Sequence, residues 1–147
     1  MMKRLIISGI VVAAFALGYW TGKSGSSHLV RTASADAGRV FEIRTYTTNE
    51  GKLDALHARF RDHTMKLFEK HGITNIGYWT PEDAPLSGNT LIYILAHPSR
   101  EAAKQNWEAF GKDPEWQRVK AESEANGAIV KKIESVFVEA TDYSPMK

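Results

Sequence analysis

The stretch VFEIRTYTTNEGKLDALHARFRDHTMKLF, residues 40–68, carries two periodicities in succession. From Val40 to Thr47 apolar and polar side chains alternate at every second position, the pattern of a β-strand. After the turn cluster Thr48-Asn49-Glu50-Gly51, the stripe Leu53, Leu56, Phe60, Thr64, Leu67 and Phe68 follows helical spacing. One strand therefore feeds one amphipathic helix, which is expected to run to about His71. Gly72 is placed to close that helix in the left-handed conformation, with Ile73 packing back on Phe68.

Downstream, the spacing predicts strands over 75–80 and 90–97. The segment Pro81 to Asn89 between them, with two Pro, a Gly and an Asn, is too long for a tight hairpin turn and reads as a flap. Ser99 is a suitable N-cap for a second helix, whose stripe is Ala103, Trp107 and Phe110. Gly111-Lys112 is expected to interrupt it and Asp113-Pro114 to restart it, a capping Asp followed by Pro at a position where its missing N–H costs nothing. This helix runs to about Ala125, Asn126-Gly127 ends it, and alternation over 133–141 marks a last strand. The order β-α-β-β-α-β is the ferredoxin-like α+β arrangement with an antiparallel sheet.

In that topology two helices cover one face of the sheet. The reading assigns Phe41, Ile43, Ile92 and Ile94 to the helix side and Glu42, Arg44, Tyr46, Leu91, Tyr93, Leu95 and His97 to the opposite face. Left in water, the second face would be unusually rich in large apolar groups; covered by an identical sheet, it becomes a lined cavity. A homodimer is the expectation.

Upstream, Lys3 and Arg4 precede an uninterrupted apolar run from Leu5 to Trp20 and the Gly/Ser-rich residues 21–27, the pattern of a secretory leader. Ala33-Ser34-Ala35 supplies an A-x-A cleavage site before Asp36. The alternative is an uncleaved anchor: sixteen helical residues span roughly 24 Å, short of a roughly 30 Å hydrocarbon core but tolerable with interfacial Tyr19 and Trp20. Either way residues 36–147 form one domain outside the cytoplasm, periplasmic, secreted or held at the inner membrane. The leader also corrects the charge balance. Residues 1–35 hold four basic side chains and no acid, so the remaining 112 residues carry 15 basic and 17 acidic groups, net −2. A nucleic-acid role loses the basic surface it needs. With no cysteine, disulfides and thiolate metal sites are excluded.

Phe41-Glu42-Ile43-Arg44-Thr45-Tyr46-Thr47, Gly51-Lys52-Leu53, Ile76-Gly77-Tyr78-Trp79, Arg100 ahead of Trp107, Asp113-Pro114-Glu115-Trp116 and the closing Asp142-Tyr143-Ser144-Pro145 together resemble the NIPSNAP family. The resemblance covers about residues 39–145. It implies a ferredoxin-like domain whose sheet pairs with that of a second subunit as a dimeric α/β barrel. Related barrels include haem-degrading and antibiotic-biosynthesis monooxygenases, but the family brings no assigned reaction and no catalytic residues to carry over.

Glu42, Arg44, Tyr46, Trp79, Tyr93 and His97 are the candidate ligand-binding residues, offering a carboxylate, a fixed cation, phenols, an indole and an imidazole. Tyr46, His97 and Glu42 are the candidates for acid–base catalysis. Against this, Glu42 and Arg44 are neighbours on one strand face and can simply neutralise each other. Helix-one His57 and His71 lie roughly 21 Å apart along the axis and cannot share an ion, so no metal site is expected, while a haem ligand among His57, His63 and His71 stays open. Trp107 and Trp116 are expected to wedge the broken helix against the sheet. There is no G-x-S-x-G, H-E-x-x-H, P-loop or G-x-G-x-x-G. Two functions remain: an exported dimer binding a small hydrophobic or aromatic molecule or a partner, and a barrel enzyme of oxygenase or isomerase type.

Overall fold

A computed structural model describes residues 39–147. The leader over residues 1–35 and the cleavage site after Ala35 lie outside the described residues. The chain runs β1 (Val40–Thr48), α1 (Leu53–Arg59), a π-helical turn (Phe60–Thr64), α2 (Met65–Lys70), β2 (Thr74–Trp79), a short 3-10 turn (Leu86–Gly88), β3 (Thr90–His97), α3 (Arg100–Lys112), α4 (Pro114–Ser123) and β4 (Val130–Val138). The four strands form one antiparallel sheet in the order β2-β3-β1-β4. This is the ferredoxin-like α+β fold. No helix among the described residues is long and apolar enough to cross a membrane.

The local signals act as their chemistry requires. Gly72 takes φ +72°, and the Ile73 N–H donates to the Phe68 carbonyl at 2.9 Å, so the last turn of α2 is closed and Ile73 is driven into the core. The Ser99 hydroxyl accepts from the Ala102 N–H at 3.0 Å and starts α3. Asp113 Oδ1 accepts from the Glu115 and Trp116 N–H groups and starts α4. Its other oxygen receives Lys70 Nζ at 2.8 Å and His71 Nε2 at 2.6 Å, which bolts the helix break to the end of α2. These side-chain hydrogen bonds, Lys70 first, hold the Asp113 carboxyl well below the usual carboxylate range. Some details differ from the sequence reading. α3 runs through Gly111-Lys112 and breaks only at Asp113, whose extended backbone (ψ 123°) cannot continue a helix. β4 starts at Val130, three residues before the alternation becomes legible. The first helix contains a π turn.

The larger correction concerns the sheet's two faces. Register pairs Glu42 with Leu95, Arg44 with Tyr93 and Tyr46 with Leu91, so these residues share a face as expected. The helices pack on that face: Tyr46, Leu91, Tyr93 and Leu95 join Leu56, Phe60, Leu67, Phe68 and Phe110 in one buried cluster. The helices bring large rings, and the rings meet rings. Phe60 sits edge-on to Tyr46 at 6.0 Å and to Tyr93 at 5.2 Å, and Tyr78 stacks on Tyr93 at 5.4 Å. Phe41, Ile43, Ile92 and Ile94, assigned to the helix side, are on the other face with Trp79, Val136 and Val138. At one end of that open face the C-terminal segment closes over Phe41, Ile43, Ile94 and Val138 through Ser144 and Met146. Arg39 Nη1 donates to the Lys147 carbonyl at 3.2 Å there. Phe68 is 1 % exposed at the centre of the ring cluster. Phe68→Ala is expected to destabilise the domain by about 3–5 kcal/mol, read as a lowered denaturant midpoint.

Candidate functional site

Glu42 is a carboxylate in the interior, 1 % exposed, and four elements supply its donors. Oε2 accepts from Trp107 Nε1 of α3 at 2.7 Å and from His97 Nε2 of β3 at 3.1 Å. Oε1 accepts from Ser135 Oγ of β4 at 2.6 Å and from Arg44 Nη1 of β1 at 2.5 Å. Burial alone raises a carboxyl's pKa. Here the hydrogen bonds from His97, Ser135 and Trp107 and the charge of Arg44 outweigh it and hold Glu42 at about 2, against an ordinary 4.5. The Arg44 guanidinium lies 4.3 Å from the centre of the Trp107 ring, and its Nη2 donates to the Tyr46 hydroxyl at 3.3 Å. Arg44 and Glu42 therefore do neutralise each other, as part of a larger network.

Beside this network lies a cavity of about 460 Å³ between the helices and the β1–β4 half of the sheet. Tyr46, Phe60, Phe68, Phe110 and Trp116 wall it, and the buried Arg59 borders it. The π turn sets this wall. Leu56, Phe60, Thr64 and Phe68 recur at intervals of four, which an α-helix would rotate by about 40° per step away from the sheet. The wider π turn over Phe60–Thr64 absorbs that drift, so all four are buried. Arg59, at the turn's start, gives Nη1 to Glu124 at 3.0 Å and to Ser123 at 3.3 Å, and its guanidinium lies 5.4 Å from the centre of the Trp116 ring.

Of the six candidate ligand-binding residues, Tyr46 alone lines this cavity. Glu42, Arg44 and His97 stand in the neighbouring network. Tyr93 is buried beneath the rings with its hydroxyl unpartnered, and burial together with the adjacent Tyr46 pushes that hydroxyl's pKa well up. Trp79 is on the opposite face, half exposed and lying over Gly77, where a Cβ would come within 2.5 Å of its ring. The face expected to line a seam between two sheets is covered by the helices, and Trp79 stands on the opposite face from Tyr46. Arg59, Phe60, Phe110 and Trp116 were not singled out as ligand contacts by sequence, nor Trp107 and Ser135 as donors to Glu42. Among the described residues no cluster of His, Asp or Glu is arranged to hold a metal ion. His71 pairs with Asp113, and His57 and His63 lie outside the aromatic cavity.

Residues 41–145 match the NIPSNAP family model. The chain belongs to the NIPSNAP family. Similar solved structures include a NIPSNAP family protein of unknown function from Agrobacterium tumefaciens, 21 % identical, with a TM-score of 0.65 over 75 % of this chain and 95 % of that one. An uncharacterised NIPSNAP domain protein from Burkholderia xenovorans is also 21 % identical, with a TM-score of 0.61 over 72 % and 98 %. SnoaB, a cofactor-independent oxygenase from Streptomyces nogalater, shares the fold at 13 % identity and a TM-score of 0.50, over 74 % and 99 %. No curated protein matches the chain in sequence. NIPSNAP membership and fold are thus shown, and the activity of this member is read from its own geometry.

Because the folded-state pKa of Glu42 is depressed, its contribution to stability is complete above the unfolded value of about 4.5 and is lost as pH falls toward 2. At about 1.4 kcal/mol per pH unit, that loss is on the order of 3 kcal/mol. Urea midpoints measured from pH 6 down to 2 should fall across this window, and Glu42→Gln should flatten that part of the profile.

Proposed function

We propose that this NIPSNAP chain is an exported homodimer that binds a small hydrophobic or aromatic molecule in the cavity between its helices and its sheet. The observation that carries the reading is the cavity itself: about 460 Å³, within the range of small-molecule sites, walled by five aromatic rings and bordered by one buried cation. Export is supported by Lys3 and Arg4 ahead of the apolar run to Trp20 and by Ala33-Ser34-Ala35.

The dimer is supported by the open sheet face. Ile43, Ile92, Ile94 and Val136 share it, with Val136 60 % exposed and Trp79 beside them. A second copy of the same apolar surface covers it by two-fold symmetry, as in the dimeric barrels that the fold resembles. Dimerisation on this face leaves the aromatic cavity inside each subunit. An enzymatic reading of the cavity rests on Tyr46, the one catalytic candidate that lines it. Glu42 is pinned by four donors, and a carboxylate with so low a pKa is a poor base.

Native mass spectrometry of the full chain released from mild detergent should show a dimer, with mass beyond two chains when the ligand copurifies. Val136→Lys, an exposed substitution on the open face, should shift it to a monomer that keeps the wild-type far-UV circular dichroism. A wild-type chain that stays monomeric at micromolar concentration contradicts the dimer.

A further inference from the structure

We propose that the aromatic cavity selects anionic ligands: the rings hold an aromatic body, and Arg59, Lys120 and Lys131 receive its acid group. This deepens the ligand-binding reading above and rests on it. The cavity's lining carries Arg59, Lys120, Lys131 and Lys132 against a single acid, Glu124. Glu124 is committed to Arg59. Lys132 is committed to Glu134 at 2.9 Å, and its pairing with Thr47 puts it on the open face's parity, so it contributes backbone to the lining. Lys120 and Lys131 enter no ion pair among the described residues, and both are exposed. Two positive charges are therefore left at the mouth.

The second observation lies deeper. The Arg59 side chain is 4 % exposed, and its Nε is a buried donor without a partner. A buried N–H that has lost water and gained nothing is unfavourable, and a guanidinium meets a planar carboxylate or sulfonate better than any neutral group. Glu124 and Ser123 both engage Nη1, which leaves Nε and Nη2 without an acceptor among the described residues. Charge attraction strengthens where the walls are apolar, which favours an acid over its neutral isostere in this setting. The ligand class is an aromatic acid of two or three rings.

The test compares naphthoate with naphthamide, which match in shape and differ in charge, by isothermal titration of the full chain. Naphthoate should bind at least about tenfold more tightly at low salt, and the gap should narrow at high salt. Replacing Lys120→Gln and Lys131→Gln together should shrink the ratio of the two affinities several-fold. Equal affinities in the wild-type chain overturn the charge selectivity and leave the cavity reading standing. A ratio untouched by the double substitution overturns the assignment to these cations. Binding of neither compound overturns the ligand-binding reading itself.

Discussion

The carboxylate of Glu42 is the point on which this fold closes. Burying an ionised carboxylate costs several kcal/mol unless its lone pairs are satisfied, and here donors arrive from β1, β3, β4 and α3 at once. Three of these donors fix a relation between elements: His97 holds the β1–β3 register, Ser135 ties in β4, and Trp107 brings α3 down onto the sheet, while Arg44, two residues along β1 itself, balances the charge. Sliding β1 by one residue would turn Glu42 to the open face and break its bonds to His97, Ser135 and Trp107 together. The network therefore specifies which face the helices cover, and with it where a cavity can form.

That face is what the sequence conceals. The order of elements was legible because period changes and caps are local: Gly72, Ser99 and Asp113 act within a few residues of themselves. Parity is not local. Both faces of β1 and β3 are apolar enough to be cores, Phe41, Ile43, Ile92 and Ile94 on one and Tyr46, Leu91, Tyr93 and Leu95 on the other. The polar trio Glu42, Arg44 and His97 fitted a lined cavity between two sheets, and only the remote donors Trp107 and Ser135 make it compatible with the interior. Two signals pointed the right way. On β4 the alternation Ile133, Ser135, Phe137 against Lys132, Glu134, Val136 separates a less charged face from a charged one. The four-residue spacing of Leu56, Phe60, Thr64 and Phe68 also suits the π turn that the fold contains.

The cavity shows the same limit. Its wall is assembled from β1, α1, the π turn, α2, α3, α4 and β4, so no stretch of sequence contains its pattern. Tyr46 was found because it stands on a strand whose alternation is plain. Arg59 was passed over because a cation between Ala58 and Phe60 looks like any solvated helical residue, until the fold buries it against Trp116. Once both faces are placed, the two surfaces separate: the helix side holds the aromatic-walled cavity, and the open side carries the apolar stretch of sheet that the proposed dimer would cover.

This division is the central claim, and one measurement tests it most directly: the affinity of naphthoate for the monomeric Val136→Lys chain. A site enclosed within each subunit predicts wild-type affinity with one ligand per chain after the dimer is gone. Loss of binding on dissociation would contradict the account and return the site to the seam between two sheets.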